Sequence, residues 1–431
     1  MESEVTRDSF PWPCLTTDLP GVGGHIKRHD EDFVVTELPL YPPSGEGTHT
    51  YFVIEKRGLT TMAAVRIIAR GLNKRPSDIG YAGLKDAHGV TRQTLSVEHV
   101  SGDHIRETQF ARIKVISVNR HTNKLKVGHL SGNRFVIKIR GADRDPLPRV
   151  RSILDVLTAR GLPNYFGPQR FGVRGDNARV GKAVLSGDYD QAVALILGRP
   201  STADRPEAHK ARGLFDAGRY DQAMATWPTE LSDQTRLLRT FINTGYDTRR
   251  TWRAVEHRMR KLYLSAFQSE LFNTVLAERI HGIDRLQTGD VAWKHRNGAC
   301  FLVEDAAVEQ PRCDAFEISP SGPLFGKKMK SASGQPGRIE EEVLAGSEMR
   351  RENEDASGMR PTQEGGIRLD GARRPLRIPL DDAEVDEGTD DSGTFVRLEF
   401  SLPPGAYATC LTRETCKTSA AANDNRFEKT T

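Results

Sequence analysis

The chain has 431 residues, 37% of them hydrophobic and 28% charged, with a formal net charge of +4 at pH 7. That length supplies the cores of two domains, and the lack of any run of about 18 apolar residues argues against a membrane-spanning helix. The stretch Met1–Asp8 lacks the features of a signal peptide, and the five cysteines (Cys14, Cys300, Cys313, Cys410, Cys416) are scattered without a Cys-x-x-Cys pair, so a cytoplasmic protein without a disulfide framework or structural zinc is expected.

Residues 1–20 are punctuated by proline and predict an irregular segment. From Gly24 to about Arg140 the pattern is mostly strand, at Asp32–Glu37, His49–Lys56, Thr91–Glu98 and Asn133–Arg140. One helix is predicted at Thr61–Leu72, capped by Thr60 or Thr61, with Val65, Ile68, Ala69 and Leu72 at core spacing. A second covers Pro148–Arg160. Gly161-Leu162-Pro163 breaks the pattern, and helices follow at 176–197, 205–228, 231–243 and 249–281. In the last of these Leu264, Phe267, Leu271 and Val275 read as a core stripe. Strand character returns at Val291–Trp293 and Ala299–Val303. The polar stretch 345–366 reads as a flexible connection, 381–393 as an acidic turn, Phe395–Phe400 as a strand and Ala420–Thr431 as a disordered tail.

Charge is segregated along the chain. Between Arg236 and Lys261 eight Lys/Arg stand against Asp247 and Glu256, whereas Asp381–Asp391 holds seven acids and no base. The basic stretch could follow a phosphate backbone, and Phe241, Tyr246 and Trp252 within it suit stacking on bases. A solvated helix face is the plainer meaning of such a run.

The segment YAGLKDAHGVTRQTLS (81–96) sets a lone acid, Asp86, between Gly83 and Gly89 and ahead of a strand-like run. Flanking glycines let the backbone bend sharply and aim one carboxylate into a cleft. Taken alone, an Asp in such a loop is more often a turn former.

This segment closely resembles the central motif of the TruD family of pseudouridine synthases, in which the aspartate of the Gly-Leu-Lys-Asp core is catalytic. The likeness continues in order through GHIKRHDEDFVVTE (24–37), GEGTH (45–49), GNRFVIKIR (132–140), NYFGPQRFG (164–172), FQSELFN (267–273), SPSGPLFG (319–326) and LPPGAYATCLTRE (402–414). There are two departures. Ala87-His88 stands where the family commonly carries basic residues, which bears on local phosphate contacts, and Tyr407 stands where some members carry Phe, which keeps the ring.

The resemblance implies an α+β fold, in which a mixed-sheet pseudouridine-synthase catalytic domain is interrupted by an inserted, more helical α/β TRUD domain. The expected layout is an irregular segment 1–20, catalytic domain 21–162, inserted domain 163–373, catalytic return 374–415 and a disordered tail 416–431. It also implies an isomerase that converts uridine to pseudouridine in tRNA, at position 13, with tRNA as its partner. No membrane, obligatory protein partner, cofactor or metal is implied, and the sequence holds no Gly-x-Gly-x-x-Gly, Walker-type Gly-Lys-Ser/Thr or His-Glu-x-x-His.

Site residues follow from the motifs. The target base must leave its stack before anything reaches C1′ or C5. Asp86 then serves the sugar, either by attack on C1′ or by removing a proton from C2′. Burial would raise the pKa of Asp86, so a nearby cation should offset it. Lys27 is preferred over Lys85, whose adjacency in sequence would point it elsewhere. Tyr407 is expected to stack on the uracil, Asn133 to meet its edge, and Phe33 and Phe135 to wall the pocket. Arg170 is expected either to contact phosphate or to brace the domain junction. A catalytically silent tRNA-binding factor on the same scaffold is the alternative, and a nucleoside-cleaving glycosidase would need a second carboxylate, for which Glu31 or Asp32 could be nominated.

Overall fold

The computed structural model describes residues 10–85, 87–347 and 369–417. They fall into two units, one formed by the chain up to Leu162 and again from Ile378, the other by Pro163–Arg377. The first unit opens with β1 (Gly23–His25), β2 (Phe33–Pro39), β3 (His49–Arg57), α1 (Thr61–Gly71), β4 (Gly80–Tyr81) and β5 (Val90–Glu98). It continues through α2 (Gly102–Glu107), β6 (Ile113–His121), β7 (Leu130–Ala142), α3 (Pro146–Arg160) and the two-residue β8 (Leu162–Pro163). The second unit holds α4 (Asn177–Leu185), α5 (Tyr189–Leu197), α6 (Pro206–Asp216), α7 (Tyr220–Thr226), α8 (Ser232–Asn243), α9 (Thr248–Ala254) and α10 (His257–Glu278). After these come β9 (Val291–Lys294), β10 (Cys300–Leu302), α11 (Ala306–Asp314), β11 (Ile318–Leu324), α12 (Gly334–Gly346), β12 (Ala372–Pro375) and β13 (Arg377–Ile378). The chain returns to the first unit with β14 (Glu384–Asp390), β15 (Gly393–Leu402) and α13 (Ala408–Cys416).

Among the described residues the first unit is built on a nine-stranded sheet, in the order β14-β15-β7-β2-β5-β3-β6 with β1 on β7 and β4 on β5. The β2–β5 pair is parallel and its neighbours are antiparallel, so the sheet is mixed. Register fixes which side chains share a face. Phe33, Val35 and Glu37 of β2 stand opposite Ile137, Phe135 and Asn133 of β7, and those in turn face Leu398, Phe400 and Leu402 of β15. Because successive side chains alternate across a strand, these residues line one face. On the same sheet Phe52, Ile54, Leu95 and Val97 bury against Val65, Ile68 and Ala69 of α1. Thr60 caps that helix by accepting from Ala63 N–H at 3.1 Å. The opposite face is polar, with ion pairs such as Arg134–Glu399 and Arg397–Asp386.

The acidic stretch expected to be a turn is instead strand β14, paired along its length with β15. Its Asp390 finds cations far away in sequence. Arg140 donates to Asp390 at 2.7 and 2.8 Å, and Lys138 donates to it at 2.7 Å. These bonds hold the Asp390 carboxyl well below the usual carboxylate range.

The second unit joins a helical core to a four-stranded sheet ordered β10-β9-β11-β12. Three of the long predicted helices are broken in two. Gly187, at φ +76, separates α4 from α5, and Gly218, at φ +71, separates α6 from α7. Val255-Glu256 parts α9 from α10. Strands β6 and β11 were not expected from the pattern, β11 because Pro320 and Pro323 interrupt it. Phe241 and Trp252 lie in the helical core, 5% and 3% exposed, so neither is a stacking surface for RNA. Only Tyr246 of that trio is open, at 54% exposure. Among the described residues no helix is long and apolar enough to cross a membrane. The predicted connection 345–366 begins at the end of α12 and otherwise lies outside the described residues, as does the tail from 418 onward.

Candidate active site

The site grows from the turn between β1 and β2. Lys27 sits there in the left-handed region, φ +59, with its residue only 8% exposed. Its ammonium lies 4.4 Å from the centroid of the Phe33 ring, so the negative face of the ring partly compensates the buried charge. Among the described residues no carboxylate lies within ion-pairing distance of it. Asp32, by contrast, is fully buried and committed, accepting Arg140 Nε at 2.9 and 3.0 Å and a terminal guanidinium nitrogen at 2.7 Å. Glu31 pairs with Arg57 at the surface. The two carboxylates that a glycosidase reading would nominate are therefore engaged elsewhere.

Asp86 itself lies outside the described residues, and its flanks are held by hydrogen bonds on both sides. Downstream, Gly89 N–H donates to Asp30 at 3.1 Å. Gly89 has φ +135, and a Cβ there would fall 2.5 Å from the Phe33 carbonyl oxygen, so only glycine lets the loop approach β2 this closely. Upstream, Lys85 N–H donates to Thr61 Oγ1 at 2.8 Å, where α1 begins. The Lys85 ammonium donates to Glu37 at 2.6 Å, and the other oxygen of that carboxylate accepts Thr94 N–H at 3.1 Å. Lys85 is thus turned toward Glu37, while Leu84 is 56% exposed.

Three rings form a wall across the sheet. Phe33 and Phe135 meet edge to face at 6.2 Å, and Phe135 stacks on Phe400 at 5.3 Å. All three are buried. Asn133 stands on β7 opposite Glu37 and Leu402. Its side-chain oxygen is buried with no donor among the described residues, an arrangement that folded proteins normally avoid unless a ligand or water completes it.

Beyond Leu402 the chain turns through Pro403-Pro404-Gly405-Ala406, with Ala406 N–H donating to the Pro403 carbonyl at 3.2 Å, and delivers the half-exposed Tyr407 at the start of α13. That helix is anchored from the other end of the sequence. Glu414 accepts Leu15 N–H at 2.7 Å, Thr16 N–H at 3.1 Å and the Thr16 hydroxyl at 2.5 Å. Among the described residues no group of three or more His, Cys, Asp or Glu side chains is disposed to hold a metal ion.

The structure thus brings Lys27, Phe33 and Phe135 into one neighbourhood and puts Asn133 on the same sheet face. Arg170 donates to Ser269 at 3.1 Å, and its guanidinium lies 5.5 Å from the Phe166 ring, an arrangement that braces the second unit internally. Glu37 was missed. The signal for it was present, since a carboxylate two and four positions from Val35 and Phe33 must share their buried face.

A family model described as tRNA pseudouridine synthase D (TruD) matches residues 11–415. The tRNA pseudouridine synthase D of Geobacter metallireducens is 44% identical over 406 residues, covering 94% of this chain and 97% of that protein. The protein of the same name from Geotalea daltonii is 45% identical over 405 residues, covering 94% and 99%. A crystal structure from Methanosarcina mazei, provisionally assigned to tRNA pseudouridine synthase D, superposes with a TM-score of 0.81 at 25% identity, covering 97% of this chain and 99% of that one. The chain belongs to the TruD family of tRNA pseudouridine synthases.

Proposed function

We propose that this protein isomerises uridine to pseudouridine in tRNA, at position 13, with Asp86 as the catalytic residue. The observation that carries the reading is the family match over residues 11–415, which includes the Gly-Leu-Lys-Asp core intact. The anchored flanks of Asp86 support it, because a single carboxylate that must meet one sugar atom needs a rigid approach.

In this reading the bond from uracil N1 to C1′ breaks, the base turns, and C5 bonds to C1′. The proton lost from C5 is balanced by one gained at N1, so substrate and product are isomers and nothing is consumed. The target nucleotide is first flipped out of its stack, at a cost of about a few kcal/mol. Asp86 must be ionised to act on the sugar, and the buried Lys27 ammonium is the cation that favours its charged form. The orphan oxygen of Asn133 can accept the uracil N3–H, while its amide can donate to a uracil carbonyl. Tyr407 stacks on the flipped base, and Phe33 and Phe135 keep water from the sugar intermediate. The layout carries over as part of the proposal. Residues 21–162 and 378–415 form the catalytic domain, and 163–377, a few residues longer than the 163–373 expected from the sequence, form an inserted domain that helps select the tRNA.

Position-resolved pseudouridine mapping of tRNA, treated with the wild-type protein and with Asp86→Asn, tests the reading. We expect modification at position 13 with the first and none with the second. Tight tRNA binding with no pseudouridine from the wild-type protein would instead support the silent binding factor, and free uracil with an abasic site would point to a glycosidase.

A further inference from the structure

The scheme above makes no use of Glu37 or Lys85, although their side chains are only 2% and 5% exposed. A buried ion pair is a poor way to gain stability. Apolar residues of similar volume commonly do as well, because the attraction barely repays the loss of hydration. What a charged pair gives that an apolar pair cannot is direction. Here one carboxylate reaches two elements at once. One Glu37 oxygen takes Thr94 N–H on β5, and the other takes the Lys85 ammonium.

The main chain of Lys85 is held as well. Its N–H donates to Thr61 Oγ1, and that hydroxyl donates in turn to Gln93 Oε1 at 2.9 Å, beside Thr94 on β5. Lys85 is therefore fixed both at its backbone and at the tip of its side chain. Glu37 also stands directly opposite Asn133 in the β2–β7 register, so the same rung carries the residue proposed to meet the uracil edge.

We infer that Glu37 is a positioning residue for the reaction: by clamping Lys85 to β2 and β5 it fixes the direction in which the chain enters Asp86. The inference rests on the reading of Asp86 as catalytic. It assigns Lys85 a mechanical part, not that of the cation beside the reacting carboxylate.

Single-turnover pseudouridylation and tRNA binding, measured for Glu37→Gln and for the double variant Glu37→Met/Lys85→Met, test the inference, with Asp86→Asn in parallel. Glu37→Gln keeps the shape and the acceptor for Thr94 but removes the charge that orients the ammonium. We expect its rate to fall about 100-fold, the scale on which a displaced reacting group loses catalysis, with tRNA affinity changed by no more than about twofold. The double variant restores an apolar, well-packed pair. We expect its melting temperature near that of the wild type and its rate still low, a split that a purely structural pair would not produce. A folded double variant turning over at the wild-type rate overturns the inference, as does a Glu37→Gln protein of unchanged rate. An active Asp86→Asn overturns the catalytic reading itself, and the inference falls with it.

Discussion

A buried ammonium against an aromatic ring, as at Lys27 and Phe33, is held by the ring without being neutralised by it. If Asp86 is the reacting carboxylate and Lys27 its cation, as proposed, removing the ammonium should make that carboxylate harder to ionise, so more of it stays protonated at a given pH. For Lys27→Met we therefore expect a lower rate and an acid limb of the pH–rate profile displaced to higher pH. An acid limb that stays where it is would mean that another group sustains the charge of Asp86. Tyr407 gives a second expectation at this scale. If Tyr407 stacks on an extruded base, as proposed, Tyr407→Phe keeps the stacking surface and should react nearly as the wild type, whereas Tyr407→Ala should lose about 1–3 kcal/mol of that stacking, read as weaker binding of a tRNA trapped with its base extruded. Equal behaviour of the two variants would remove the stacking role. That Lys27, Phe33 and Phe135 would come together was legible because all three lie in the motifs at 24–37 and 132–140. Phe241 and Trp252 were misjudged because basic neighbours in sequence say nothing about which way a ring faces, and both rings turn into the helical core.

Elements were legible where the pattern is local. The β2, β3, β5 and β7 strands and helix α1 come from alternation and capping within a few residues of one another. Strand β14 was not, because the cations that hold Asp390, Arg140 and Lys138, are supplied by β7, some 250 positions earlier, and the rest of its pairing is to β15. The contact of the Gly89 loop with β2 is a second non-local feature. Gly89→Ala puts a side chain at φ +135 and into the Phe33 carbonyl. We expect a loss of about 1–3 kcal/mol in denaturant unfolding, together with a slower reaction, and an unchanged midpoint would show that the loop can yield. In the second unit His295, which follows β9, has its pKa pushed down to about 4 by burial and by the neighbouring Arg377. Its Nε2 lies 2.8 Å from the Ser319 hydroxyl, which also accepts Arg377 Nε at 3.2 Å. Because the folded state disfavours the proton, stability is full above the unfolded value of 6.5 and drains as pH falls from there toward about 4. The drain should be of order 1–2 kcal/mol, since part of the ring meets solvent. Unfolding of wild type and His295→Gln at pH 7 and pH 5 checks this: the loss should be smaller in the variant, and equal losses would assign it to other groups.

Over the whole molecule, the near-neutral total conceals a basic stretch whose exposed arginines include Arg249, Arg250 and Arg253. If the second unit helps select tRNA, replacing these three with serine should weaken binding and flatten its dependence on salt, because fewer counterions are then released. An unchanged slope would place the phosphate contacts elsewhere. The passage between units at Gly161-Leu162-Pro163 was readable as a break in pattern, while the return at Arg377–Ile378 has no comparable punctuation and was expected, at 374, only from the family resemblance. That return also governs how the protein comes into being. Strand β15 lies between β14 and β7, yet it is translated after the whole of Pro163–Arg377. At about 5–20 residues per second, β7 would wait roughly thirteen to fifty seconds on the ribosome with its outer edge unpaired. An open edge of that length invites pairing with other chains. The second unit, whose sequence is continuous, can close during this interval, whereas the first cannot complete its sheet until the final strands emerge.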